Sequence, residues 1–187
     1  VLAVDEEAQT AISSPKNKAQ TNPRILVLPF TNVSNDSDQD YFSDGIAEDI
    51  ITDLSKVSAL SVVARSTAFS LKGQTLNVSD ISQQLDVSHV IEGSVRKSGS
   101  RLRINTQLVD SATGHPIWAE RFDRDLTDIF ALQDEITRAV VAALKLRLIE
   151  SEREAIQSRP TDNPQAYEIY LHARHHHLRA DMRNSLI

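Results

Sequence analysis

Four histidines lie close together towards the end of the chain, at positions 172, 175, 176 and 177. His172 and His176 are four residues apart, so a helix would place both imidazoles on one face, as in zinc-binding helices. The glutamate of the His-Glu-x-x-His pattern is missing, and no third ligand type is obvious. A histidine-rich helix surface is therefore favoured over a metal site as the interpretation of His172, His175, His176 and His177.

Four carboxylates occupy the first long predicted helix: Asp44, Glu48, Asp49 and Asp53. Acid–base catalysis requires two carboxyl groups whose environments separate their pKa values. Here the acids lie one turn apart in two pairs, and they flank the apolar stripe of a surface helix. We therefore predict solvated charges on the wet face of this helix rather than a catalytic or metal-binding cluster.

Patterns for a nucleophile or a phosphate loop are also missing. Ser43 precedes Asp44 and Gly45, but Gly-x-Ser-x-Gly is absent and no base lies nearby, so the predicted role of Ser43 is helix N-capping. The five glycines are scattered singly, without a GxGxxG or Walker pattern. The sequence thus predicts no catalytic, cofactor-binding or metal-binding residues and no cofactor, and this chain is predicted not to be an enzyme itself.

Basic residues form a short stripe in the middle of the chain. Arg101 and Arg103 alternate on one face of a predicted strand, and Arg96 and Lys97 lie across the hairpin. The stripe on this wet side would suit an acidic partner or lipid head groups. Ordinary solubility of an outward-facing strand is the favoured interpretation.

These residues need a scaffold, and the stretch Val90–Phe122 supplies its centre. Apolar and polar residues alternate along its second run, the period-two pattern of a half-buried strand. The predicted dry face consists of Leu102, Ile104, Thr106 and Leu108. Glycines at 99 and 114 suit the tight connections of a three-stranded antiparallel meander. Such a sheet requires helices over its dry face.

The remaining elements complete an α+β or α/β sandwich with a mixed sheet, in the order β-α-β-α-β-β-β-α, followed by a helical extension. Residues 1–23 form a polar linker, residues 24–149 the domain, and residues 150–187 the extension. The predicted elements outside the meander are strands at Arg24–Leu28 and Ser61–Ala64 and helices at Ser43–Lys56, Asn77–Leu85 and Thr127–Leu148.

The composition of the chain indicates which classes of protein it could belong to. The chain has 187 residues, 40% hydrophobic and 25% charged, with a net charge of −6 and no cysteine. This is ordinary for a globular protein, and the acidic balance argues against nucleic-acid binding by this chain. No run of 18 apolar residues could span a membrane. Val1–Val4 reads either as the tail of a preceding membrane span or as an irrelevant apolar tetrapeptide.

A second unit is predicted at the carboxyl end. Glu150–Arg159 is a charged helical extension, and Pro160 and Pro164 break it. Another helix begins near Pro164, which suits a first helical turn. A lone helix cannot bury its own apolar face, so we expect this helix to lack a partner within the chain and further sequence to follow it.

Several motifs in a fixed order resemble the bacterial TolB-like domain. They are Val27–Phe30 (VLPF), Asp40–Glu48 (DYFSDGIAE), Val90–Val95 (VIEGSV), Leu108–Gly114 (LVDSATG), Trp118–Glu120 (WAE) and Asp128–Ile136 (DIFALQDEI). The resemblance spans about residues 24–148 and implies a compact domain similar to the amino-terminal domain of TolB. Pro164–Leu171 resembles the opening helix of a tetratricopeptide array. The family transfers no catalytic residues, and its shared positions, such as Gly45 at a helix start and Gly93 in a strand, imply structural roles.

The resemblance implies a place in a longer bacterial protein, after a class III adenylate cyclase domain or a winged-helix domain. The predicted function is a non-enzymatic sensory or protein-interaction domain that couples a membrane-proximal output domain to a tetratricopeptide array. The array would bind a protein or peptide partner, and a membrane-anchored parent is expected. Two alternatives stay open: a fragment of an adenylate cyclase polypeptide, with cyclic AMP made by a domain outside this chain, or an envelope assembly protein related to TolB.

Overall fold

The computed structural model describes residues 22–34, 36, 39–74, 77–158 and 161–184, with side chains as far as residue 177. The predicted linker over residues 1–23 lies almost wholly outside this part of the chain. Within it the strands are Arg24–Val27 (β1), Thr31–Asn32 (β2), Ser61–Val62 (β3), His89–Ser98 (β4), Arg101–Asp110 (β5) and Pro116–Asp125 (β6). The helices are Asp40–Ser55 (α1), Arg65–Ser70 (α2), Val78–Leu85 (α3), Ile129–Ala143 (α4), Glu150–Gln157 (α5) and Pro164–Asn184 (α6), and a 3₁₀ turn covers Leu126–Asp128.

The strands form one mixed sheet in the order β3-β1-β4-β5-β6, with β2 paired beside β4. Pairing is parallel among β1, β3 and β4 and between β2 and β4, whereas β4, β5 and β6 are antiparallel. The predicted fold class and meander are therefore confirmed. The sequence pattern did not predict the short strand β2. Helix α2 lies within residues 65–73, for which the sequence predicts a connector with room for one helical turn.

The core lies between the sheet and the helices on its dry face. Leu102, Ile104, Thr106 and Leu108 are all buried, as their alternation predicted. Strand β1 is buried throughout its apolar residues because both faces of the sheet are covered there. In helix α1 the buried face includes the predicted apolar stripe of Ile46, Ile50 and Leu54.

Two helix ends differ from their predicted positions. Helix α1 begins at Asp40, so Ser43 lies inside the helix and is buried, and its predicted role as N-cap is wrong. Helix α4 ends at Ala143 rather than near residue 148, because Lys145 adopts a positive φ of 57°. A residue in the left-handed region ends the helical hydrogen-bond series.

Gly93 is packed against an aromatic ring, as its position in a strand suggested. A Cβ at this position would lie 2.8 Å from the Phe30 ring and 2.9 Å from the carbonyl oxygen of Asn105. We predict that Gly93→Ala lowers the free energy of unfolding by roughly 1–3 kcal/mol, because the buried ring must shift. Urea unfolding measures the change, and Ser98→Ala at the exposed end of the same strand is the control. Equal stability of the two variants would contradict this account.

Candidate functional site

Helix α6 lies on the domain, and its contact surface is the candidate functional site. We call this surface the α6 seat; it consists of Gly45, Glu48 and Asp49 on α1, Phe130 and Gln133 on α4, and Arg65 on α2. Leu171 of α6 is 2% exposed and rests on Gly45, where an added Cβ would lie 2.5 Å from the Leu171 Cδ1 atom. The expectation that this helix lacks a partner within the chain is therefore wrong. Gly45 is inside a helix rather than at its start, and it provides the notch that receives Leu171.

A buried carboxylate ties three helices together at the seat. The Glu48 side chain is only 5% exposed, and its two oxygens face different guanidinium groups. Arg65 of α2 donates from Nε to Oε1, and the Nη2 atom of Arg174 on α6 pairs with Oε2. Because both guanidiniums bear on one carboxylate, Glu48 holds α6 and α2 on opposite sides of itself.

A second buried polar group lies about two turns of α6 away. The Tyr167 hydroxyl donates to Oδ2 of Asp49, and Gln133 Nε2 donates to the same oxygen at 2.7 Å. The Tyr167 ring also packs edge-on against Phe130, with centroids 5.1 Å apart. Burial raises the pKa of Asp49 above its ordinary value, although these donors and Arg174 oppose the shift. Burial and the adjacent Asp49 raise the pKa of Tyr167 well above its ordinary value.

These geometries correct the prediction that the four carboxylates of α1 are solvated. Glu48 and Asp53 are buried, and Asp44 forms an ion pair with Lys72 Nζ at 2.6 Å. Asp53 receives Lys56 Nζ at 2.8 Å. The sequence pattern predicted a solvent-exposed face because the partners of Asp44, Glu48 and Asp49 lie on α2, α4, α6 and the turn after α2, which are distant along the chain. The arrangement serves helix docking and ion pairing within the chain.

The amino-terminal part of α6 also reaches the sheet. Glu168 accepts a hydrogen bond from the Tyr41 hydroxyl at 3.1 Å and pairs with Lys97 Nζ. Burial and the neighbouring Glu168 together raise the pKa of Tyr41 to about 12. Lys97 therefore does not belong to the basic stripe. It lies opposite Leu102 in the strand register, on the dry face, because adjacent strand residues point to opposite sides.

The rest of the basic stripe stays on the open face of the sheet. Arg103 donates to Asp123 at 2.8 Å, and Arg101 pairs loosely with Asp125 at 3.5 Å. Arg96 lies opposite Arg103 and is exposed. Neighbouring acids of β6 thus neutralise much of the stripe.

The extension before α6 is anchored as well. Glu152 of α5 is buried and accepts hydrogen bonds from the Ser58 backbone N–H at 2.8 Å and the Ser58 hydroxyl at 2.7 Å. Asn163 caps α6 by accepting from Gln165 N at 2.9 Å, and the helix begins at Pro164 as predicted. Both pieces of the extension therefore bear on the domain.

The histidines lie beside the seat. His172 and His176 share a face of α6, with ring centroids 4.6 Å apart, and His172 packs edge-on against Tyr41 at 5.1 Å. Within the described ranges, no group of three or more His, Cys, Asp or Glu side chains is placed to hold a metal ion. Among the same residues, no helix is long and apolar enough to cross a membrane.

The Asp49 environment predicts a pH effect. A raised pKa in the folded state means that the folded chain binds the proton more tightly, so this group weakens the fold as pH rises from 3.8 towards the folded value. Asp49→Asn keeps an acceptor for Tyr167 and Gln133 without the charge. We expect the variant to be more stable than the parent chain at pH 7, with the gap shrinking as pH falls.

Urea unfolding of both chains between pH 4 and pH 7 measures this difference, and the subtraction removes the other titrating groups. Asp80→Asn, in an exposed position of α3, is the matched control for replacing a carboxylate by an amide. A gap that widened towards low pH would contradict the inferred burial penalty at Asp49.

The sequence of this chain is similar to a known protein family and to a curated bacterial protein. The family model described as HilA/YgeH-like transcriptional regulator, second domain, matches residues 21–139. A protein of Rhizobium meliloti (strain 1021) named "Putative adenylate cyclase 3" is 48% identical over 168 residues, which are 90% of this chain. The chain spans only 29% of the length of that curated relative.

Solved structures resemble the chain more distantly. TolB from Acinetobacter baumannii is 18% identical with a TM-score of 0.48, over 65% of this chain and 28% of that one. Lipoprotein GNA1162 from Neisseria meningitidis is 20% identical with a TM-score of 0.48, over 67% of this chain and 99% of that one. The LpoB C-terminal domain from Salmonella enterica is 16% identical with a TM-score of 0.46, over 58% of this chain and 87% of that one.

Proposed function

This chain belongs to the family of HilA/YgeH-like transcriptional regulator second domains, and from that premise we propose that it is a non-catalytic coupling domain of a larger bacterial regulatory protein. In this proposal the domain fixes the orientation of α6, and α6 connects it to the part of the protein that meets a partner. The observation that carries the proposal is the double ion pair of Glu48 with Arg65 and Arg174.

The chemistry of the seat supports coupling rather than catalysis. A catalytic carboxylate must face a substrate, whereas both oxygens of Glu48 face guanidiniums of the same chain. Asp49 is likewise engaged by Tyr167 and Gln133. These groups therefore hold α6 in place, and a movement of α6 would shift Glu48 and Asp49 of α1 and, through Glu48, Arg65 of α2.

The proposed partner is a protein or peptide. The similarity of Pro164–Leu171 to the opening helix of a tetratricopeptide array supports an array that begins with α6 and binds such a partner. The net charge of −6 supports a domain that does not itself bind nucleic acid. A membrane-anchored parent, implied by the resemblance of residues 24–148 to TolB-like domains, is part of the proposal. Recovery of the parent protein wholly in the soluble fraction would contradict it.

The test uses the parent protein in its own cells. Arg174→Met breaks the pair with Glu48 while keeping an unbranched side chain, and Arg153→Met breaks an exposed pair with Glu150 as the matched control. We expect the transcript profile of cells with Arg174→Met to shift towards that of the gene deletion, and Arg153→Met to match the parent strain. A parental profile for Arg174→Met, at equal protein level, would contradict coupling through the seat.

A second candidate function follows from the 48% identical relative: the whole protein is an adenylate cyclase whose active site lies outside the matched 168 residues. Deleting the gene and measuring cellular cyclic AMP tests this candidate. A fall in cyclic AMP supports it, and an unchanged level contradicts it. Cyclic AMP formation from ATP by the purified 187-residue chain alone would instead overturn the non-catalytic role.

A further inference from the structure

Strand β6 forms an open edge of the sheet. The strand order ends at β6, and among the described residues no other strand pairs with its outer side. The strand is ten residues long and exposed over much of its length. An edge of this length presents unpaired backbone N–H and C=O groups that can receive another strand.

Charges of alternating sign mark this edge. Along the strand Glu120 is negative, Arg121 positive, Asp123 negative and Arg124 positive. Arg121 and Asp123 lie on the open face, opposite Asn105 and Arg103 of β5.

Glu120 and Arg124 lie on the other face, opposite Thr106 and Leu102. The open face therefore carries Arg121, Asp123 and Asp125, and the other face carries Glu120 and Arg124.

This pattern is most complementary to itself in one register. If a second copy runs antiparallel and is centred on Phe122, Arg121 meets Asp123 of the second copy. Glu120 then meets Arg124 of the second copy, which also pairs with Glu135 of its own chain at 3.1 Å. The two-fold axis repeats both pairs and keeps paired residues on the same face. Residues opposite each other in antiparallel strands are close enough for such ion pairs.

The neighbouring registers are less favourable. A pairing centred on Arg121 places that residue opposite itself. A pairing centred on Asp123 places that acid opposite itself, and it offsets this with only one kind of opposite-charge pair, Arg121 with Asp125 of the second copy. Like charges directly opposite destabilise a strand pair. Edges that only prevent association need only repel or block a neighbour, whereas this edge carries opposite charges that form the most pairs in the register centred on Phe122.

Asp123 has an oxygen suited to the second copy. Arg103 donates to Oδ1 of Asp123 at 2.8 Å, while Oδ2 has only a loose contact with Arg121 of its own chain at 3.8 Å. The Arg121 side chain is 66% exposed. The ion pair between the two copies would use Asp123 Oδ2, which the hydrogen bond from Arg103 leaves accessible.

We propose that β6 is a homodimer interface, in which two copies of this chain join their sheets through antiparallel β6 strands centred on Phe122. The helix layers of both copies then lie on the same side of one continuous sheet. The α6 seat stays clear of the interface, because the seat is built on α1, α2 and α4.

The test uses sedimentation of the whole chain with two single charge reversals. Arg121→Glu creates two acid–acid contacts in its own homodimer, and Asp123→Arg creates two base–base contacts. We expect each to weaken the dimer at least about tenfold. Mixing the two variants puts opposite charges back at both positions, so a heterodimer of near-parental affinity should form.

Arg96→Glu is the matched control, because Arg96 is exposed on the same face but away from the edge. It should leave the dimer unchanged, and circular dichroism establishes that every variant is folded. A parent chain that stays monomeric up to about 500 µM would overturn the proposal. So would a dimer that ignores both reversals, or a mixture of the two that stays as weak as either variant alone.

Discussion

Glu48→Gln is expected to lower the free energy of unfolding by about 2–3 kcal/mol. The substitution keeps the shape but leaves two guanidiniums facing each other without the carboxylate between them. Removing one partner of a buried ion pair costs about 3–5 kcal/mol. The cost is smaller here because the Arg65 and Arg174 side chains are 35% and 30% exposed, so water recovers part of their solvation.

Urea unfolding at pH 7 measures this loss, and Glu150→Gln is the control. The pair of Glu150 with Arg153 is exposed, with a distance of 3.5 Å, and such pairs contribute about 0–1 kcal/mol. Glu48→Gln should also weaken the docking of α6 selectively. Amide exchange in α6 should therefore accelerate, relative to the parent chain, more than amide exchange in β5. A variant as stable as Glu150→Gln would show that the double ion pair does not hold the seat.

Leu171→Ala is expected to destabilise the docking of α6 by about 2–5 kcal/mol, the range for replacing a buried leucine by alanine. Amide exchange in α6 should then accelerate by roughly 30-fold or more, since each 1.4 kcal/mol corresponds to tenfold. Ile169→Ala is the control, because Ile169 is 70% exposed on the same helix. Equal exchange rates in the two variants would contradict the role of the notch.

The notch makes a further, sharper comparison possible. Gly45→Ala alone introduces a Cβ where Leu171 sits, but it also improves the helix propensity of α1 by about 1 kcal/mol. In the Leu171→Ala background the space is vacant, so only the propensity gain remains. We therefore expect Gly45→Ala to be more favourable in that background than in the parent chain. Additive effects would mean that the two residues do not compete for space.

Much of the scaffold could be predicted from local pattern. The period-two alternation of Leu102, Ile104, Thr106 and Leu108 depends only on neighbours along one strand, and the sheet follows it. The same rule could have placed Lys97, because it alternates in phase with the buried Val95. The extra strand β2 has only two residues, too few for any periodicity.

The seat was missed for a different reason. Whether Glu48 faces water or a guanidinium depends on Arg65 and Arg174, which reach it only after the chain has folded. The role of Gly45 could not be predicted either. A glycine within a helix indicates only a less stable helix, and the sequence does not show that Leu171 packs against it. The sequence motifs resembled the TolB-like domain, and TolB is among the solved structures similar to this chain. The family model that matches is described as that of HilA/YgeH-like regulators.

The length of α6 determines how far its end would move if the ion pairs of Glu48 rearranged. The helix runs from Pro164 to Asn184, and its clamped contacts at Tyr167, Leu171 and Arg174 fall within its first half. Ten residues beyond Arg174 extend about 15 Å at about 1.5 Å per residue. In the proposed coupling, a tilt of about 10° at the ion pair would therefore move the end of the helix by about 2–3 Å.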